Sequence, residues 1–194
     1  MTTEPSADHA TVTVRRRVPR ALPWLLGVCA LGTLLARTAW PGLAGLVGPA
    51  GLRHGEVWRL VTPVLVQPGP WPLVLVAFVL VALVGWPAER WFGSARLVAL
   101  CGAGVVGGSI AAVWWQPHGG GLVLAGCGVL GGFAVWWLRM RRSGPVTAGL
   151  WVVVIGLFLA VGHQMAGVAL LAGGLVGTVV LRDVPAVYRG RVRG

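Results

Sequence analysis

The chain contains no lysine and no asparagine, and only five acidic residues, Glu4, Asp8, Glu56, Glu89 and Asp183. All sixteen basic residues are therefore arginine, and the formal net charge is +11. A soluble domain needs more polar surface than a chain of 194 residues that is 56% hydrophobic and 11% charged provides. The arginines sit in short gaps between apolar runs, with no interleaved aromatics and no binding motif, so nucleic acid is not an expected partner. Cysteine is scarce as well. Cys29, Cys101 and Cys127 all fall in apolar segments, are odd in number and show no Cys-x-x-Cys spacing, which excludes a disulfide framework. The apolar segments carry neither a run of acids nor a Pro-broken pair of helices, so nothing marks an ion or solute path.

What is present is apolar length. The mean hydropathy is +0.80. A helix needs roughly 20 apolar residues to cross a hydrocarbon core of about 30 Å. Residues 21–40, 72–87, 97–115, 121–138, 147–161 and 162–181 are the candidate spans. The last two are contiguous, and one helix over both would be about 52 Å long, so a hairpin breaking near Gly162 is expected. Arg15, Arg16, Arg17 and Arg20 precede the first span, and Arg90 and Arg96 lie between the second and third. Arg139, Arg141 and Arg142 lie between the fourth and fifth, and Arg182, Arg189, Arg191 and Arg193 follow the sixth. That distribution predicts six spans with both termini in the cytoplasm. Tryptophans near the span ends, including Trp24, Trp71, Trp114, Trp136 and Trp151, fit an aromatic belt.

The expected organisation is a polar, basic and disordered N-terminus over 1–20, one six-helix membrane domain over 21–182, and a basic tail over 183–194 that meets anionic lipid. The first span follows a basic run but has no small-residue cleavage site, and reads as a retained anchor. The long connection 41–71 is rich in Pro and Gly and is not one helix; Leu52 to Leu65 mixes charged and apolar residues and suits the membrane interface. Repeated glycines in the spans, such as Gly131-Gly132 and Gly173-Gly174, predict close helix packing.

Two residues carry the chemistry. Cys127 lies about six residues into the fourth span, and His163 opens the sixth from the same side. A thiol and an imidazole at one depth can form a nucleophile–base pair. A lone cysteine in an apolar helix also reads as a small packing residue, and a histidine there as one bonded to a backbone carbonyl. His54, His118 and His163 share a side but show no ligand spacing, so no metal and no other cofactor is expected.

Three stretches resemble the rhomboid intramembrane proteases: Gly55-Glu56-Val57-Trp58-Arg59-Leu60-Val61-Thr62, Glu89-Arg90-Trp91-Phe92-Gly93-Ser94, and Gly162-His163-Gln164-Met165-Ala166-Gly167. Their order and the six-span layout also match, over roughly residues 20–182. The resemblance implies an all-α rhomboid-like bundle with N-in/C-in topology, and a fourth span that begins below a cavity open to the outside. It makes Trp58, Arg59, Glu89 and Gly93 structural motif positions. In active members a Ser in Gly-x-Ser-Gly is the nucleophile and the sixth-span His is the base. Here that motif reads Ala125-Gly126-Cys127-Gly128. Ser6, Ser94, Ser109 and Ser143 lie outside any nucleophile motif. The second-span positions that hold the oxyanion fall on Leu73 and Ala77, the loop histidine on Gln67, and the aromatic that supports the base on Gly131. The backbone of Gly126, Cys127 and Gly128 is what remains as an oxyanion candidate. Losing one donor costs about 10²–10³ in rate.

The expected function is therefore a pseudoprotease that binds transmembrane segments of client proteins. The alternative is an active intramembrane endopeptidase with a Cys127/His163 dyad. The expected partners are the lipid bilayer and client helices, and the absence of Lys and Asn suggests a bacterial plasma membrane. Single cysteines at Ser6 and Gly119 should label from opposite sides of the membrane; labelling of both from outside intact cells refutes the six-span topology.

Overall fold

The structure, a computed structural model, describes residues 20–40, 42, 55–115, 120–139 and 143–184. The N-terminal residues before Arg20, the tail beyond Val184, His54 and His118 lie outside the described residues. Six long helices account for most of the chain. They are α1 (Ala21–Thr38), α2 (Trp71–Phe92), α3 (Ser94–Trp115), α4 (Leu122–Arg139), α5 (Ser143–Val161) and α6 (Met165–Val180). Two single-turn 3₁₀ helices, Val57–Leu60 and Thr62–Leu65, precede α2, and no strand occurs among the described residues. Helices α1 to α4 are each long and apolar enough to cross a membrane, and α5 and α6 contain shorter apolar stretches, Pro145–Val161 and Met165–Val180.

The helices outrun or fall short of the apolar segments for identifiable reasons. α2 continues past the expected end at 87 to Phe92 and carries Glu89 inside it. α5 begins at Ser143 rather than at 147. α6 begins at Met165, because Gly162, His163 and Gln164 form the turn of the expected hairpin. Trp136, expected in the interfacial belt, is instead buried among Trp91, Phe92 and Phe133.

Glu89 shows how the bundle tolerates a charge. Its carboxylate is 1% exposed. It accepts the backbone N–H groups of Arg20 and Ala21 at 2.7 Å and of Leu22 at 2.9 Å, and the Ser94 hydroxyl at 2.6 Å. A helix leaves its first four N–H groups without intrahelical partners. In α1 three of them bond Glu89, and the fourth position is Pro23, which has no N–H. The anion also faces the positive end of the α1 dipole. Gly93, at φ 88° and ψ 163°, makes the one-residue joint between α2 and α3; that backbone region belongs to glycine. Glu89 thus ties α1, α2 and α3 at one end of the bundle.

α4 is the central helix. It packs on α2, α3, α5 and α6. Glycine sets the spacing: a Cβ at Gly128 would strike Leu100 and Gly104 of α3, and one at Gly131 would strike the Leu170 carbonyl and Gly174 of α6. Gly173 abuts Gly128, and Gly177 abuts Gly132. Backbone approach of this kind supplies the van der Waals contact that holds helices together where no hydrophobic drive exists between them and lipid. Of the small residues Gly126, Gly128, Ala166 and Gly167, which the sequence suggests for a contact between the fourth and sixth spans, Gly128 meets Gly173 of α6. In the fold Gly126 meets Val81 of α2 and Gly167 meets the α5 backbone at Gly156 and Ala160.

Replacing Glu89 by Ala strands the buried Leu22 donor and the part-buried donors of Arg20 and Ala21, and a buried unsatisfied donor costs about 1–3 kcal/mol. Glu89→Ala should lower stability by about 1–3 kcal/mol in unfolding from mixed micelles, while Glu89→Gln, which keeps an acceptor oxygen, should lose less. Equal tolerance of both changes would show that the cap contributes nothing.

Candidate active site

At the end of the bundle opposite Glu89, α4 starts under the 3₁₀ turns and the segment 66–70. The Gln67 side-chain oxygen accepts the Leu122 N–H at 2.8 Å. Gly121, at φ 92°, leaves no room for a Cβ beside that amide. Gln67 is 7% exposed, and its own N–H donates to the Thr33 hydroxyl of α1 at 3.0 Å. Arg37 of α1 donates to the carbonyls of Gln67 and Gly69, and its guanidinium lies 4.6 Å from the centroid of the Trp71 ring. The position where the resemblance expects a loop histidine therefore holds the residue that caps α4. Sequence reasoning missed this use of Gln67, Thr33 and Arg37, since nothing along the chain brings residues 33, 67 and 122 together.

Cys127 sits in the second turn of α4, half-buried against the apolar core. It shares a helix face with Gly131 and Ala134, whose backbones meet α6 and α5. The thiol position is thus turned towards the last two helices, as a nucleophile–base pair requires. The depth is not what such a pair requires. Gly128 lies beside Gly173 and Gly132 beside Gly177, so α4 and α6 run parallel in a constant register. Cys127 is then level with Leu171 or Ala172, eight or nine residues beyond His163. At ~1.5 Å per residue the imidazole lies more than about 10 Å further along the bundle axis.

The reason is local. His163 is not on the sixth helix but in the turn before it, the one non-glycine residue at positive φ (59°) among those described. Its N–H donates to the Ala160 carbonyl at 3.1 Å, and its exposed ring meets Trp115 edge-on with centroids 5.0 Å apart. The expected facing of Cys127 and His163 at one depth is corrected accordingly. A nucleophile and its base need about 2.6–3.2 Å between heavy atoms, or slightly more in a resting site.

The oxyanion candidates fare similarly. The N–H groups of Gly126, Cys127 and Gly128 lie beyond the first turn of α4 and are taken up by its own i→i−4 bonds. Of the donors at the helix start, that of Leu122 is taken by Gln67. Leu73 is 60% exposed on the outside of α2, and Ala77 is buried in the core. Gly131 has no space for an aromatic ring. Trp58 is exposed, and Arg59 pairs with Glu56 within the first 3₁₀ turn. Glu89 and Gly93 form the joint between α2 and α3, far from Cys127. Among the described residues no three of His, Cys, Asp and Glu gather in a metal-binding group.

A helical bundle with a backbone-packed central helix, an α1 cap from Glu89 and several helices apolar enough to cross a membrane defines a multi-pass helical membrane protein. A family model of the Rhomboid domain matches residues 54–182, and the chain belongs to the rhomboid family. A search of the curated proteins finds no match.

Cys127→Ser should not react with a fluorophosphonate or cleave a membrane helix. Adding Leu73→His and Ala77→Asn should not rescue it, and a further Gly131→Tyr should abolish folding through collision with Leu170. Cleavage of the helix by Cys127→Ser would show that residue 127 does reach a base, against the axial offset of His163.

Proposed function

We propose that this rhomboid-family protein binds transmembrane helices of client proteins without cutting them. The observation that carries the reading is the axial offset of His163 from Cys127, which leaves the thiol without its base. The occupied N–H groups along α4 and the absence of side-chain donors at Leu73 and Ala77 support it further.

The arrangement around α4 supports binding. α2 and α5 flank α4 and pack on it, and neither packs substantially on the other. Val123, Leu130 and Trp137, which with Cys127, Val135, Leu138 and Arg139 are the less buried positions of α4, recur at helical spacing and lie on the side left between those two helices. Such a stripe, apolar and as long as the helix, suits the side of another apolar helix. In this reading both termini are cytoplasmic, the site opens towards the outer leaflet, and the protein works in a bacterial plasma membrane.

A photo-crosslinker at Leu130 should capture a single-span reporter helix intact, and one at Leu34 on the exposed face of α1 should capture far less. Equal capture from both positions refutes the groove, and release of a shortened reporter refutes the pseudoprotease reading.

A further inference from the structure

The cap on α4 is also a tie between helices that otherwise scarcely meet. α1 packs mainly on α2 and on the 3₁₀ turn Thr62–Leu65, and a Cβ at Gly32 would press into Leu65. At this end α1 side chains also hold the segment 66–70, through hydrogen bonds to Gln67 and Gly69. The Gln67 backbone is bound by Thr33 and Arg37 of α1, and its side chain by Leu122 of α4. Arg37 also reaches Gly69 and lies against Trp71 at the start of α2. The segment 66–70 is therefore strapped to three helices. It lies directly over the start of the helix that carries Cys127, five residues below Leu122. Around it, Gly120 contacts Pro63, Gly121 contacts Gln67 and Pro68, and Pro63 and Val64 are buried.

We infer that this segment is a latch: the Gln67 amide, held by α1 and bonded to the Leu122 N–H, sets access from the aqueous phase to the Cys127 face of α4. Three features make the side-chain contact its release point. It is a neutral hydrogen bond, whereas the turns beside it are held by buried apolar packing. It ends on a helix N-terminus, which water can satisfy as well as the amide does. It is also the one contact through which residues 66–70 reach α4 by a hydrogen bond among those described. Releasing it lets 66–70 lift with α1 while the glycine-packed α3–α4–α6 core stays in place.

The inference does not depend on client binding, because its readout is the thiol. The full-length protein in lipid nanodiscs is treated with a sulfonated, membrane-impermeant maleimide, and modification of the Cys127 peptide is followed by mass spectrometry. Gln67→Leu removes the acceptor at similar volume, and Thr33→Val removes the hydroxyl that holds the Gln67 N–H. Each should raise the Cys127 labelling rate about tenfold, the effect of one net hydrogen bond on a local opening equilibrium. Gln67→Glu should act in the opposite sense. A carboxylate there faces the positive end of α4 and lies near Arg37, so labelling should stay at or below the native rate. That sign separates a latch from simple loosening of the fold. Unchanged labelling in both Gln67→Leu and Thr33→Val overturns the inference, as does an equal rise in Gln67→Leu and Gln67→Glu.

Discussion

A helix end buried among other helices brings N–H donors that hydrocarbon does not satisfy, and the whole bundle is arranged around two such ends. At one, Glu89 gathers three donors of α1 and the Ser94 hydroxyl onto a single carboxylate. At the other, Gln67 takes the Leu122 donor of α4 while its own backbone is held by α1. Both acceptors come from a different element than the helix they cap. Each therefore satisfies the backbone and fixes the relative position of helices in one act. This is why an acidic residue survives buried near the end of an apolar helix: the backbone donors of α1 offset the cost of burying its charge.

Between the two capped ends the interior of the described residues is apolar apart from the buried Ser109, and contact is made by backbone. Gly104, Gly128, Gly131, Gly173 and Gly177 bring α3, α4 and α6 within reach of one another. Such packing tolerates no side chain, so it also determines what the site lacks. An aromatic at 131 is excluded by the α6 backbone, and the register that seats Gly128 on Gly173 carries His163 past Cys127. The exclusion of an aromatic at 131 and the tightness of the core are thus one structural fact seen from two sides.

Much of this architecture is legible along the chain. Apolar length and the hairpin near Gly162 predict the helices. The glycine pairs predict close packing, and the three ordered motifs predict the family. Glu89 and Gly93 are recognisable as a structural joint, although their service to α1 is not, because residues 20–22 and 89 meet only in three dimensions. Equal distance from one membrane face is a poor guide to the Cys127–His163 pair. It counts His163 as the first residue of a helix, whereas its positive φ keeps it in the turn.

Hydrophobic length and local motifs are properties of consecutive residues, so the chain alone is enough to specify a membrane bundle of the rhomboid family. The lack of side-chain donors at Leu73 and Ala77 is equally a matter of residue identity. Which groups meet is a different kind of fact, and it waits for the folded bundle. The register between parallel α4 and α6 depends on contacts between glycines some 45 residues apart, and a shift of one helical turn, about 5.4 Å, changes which residues share a level. The same holds for Gln67, whose amide has no meaning until the fold brings Thr33 and Leu122 to it.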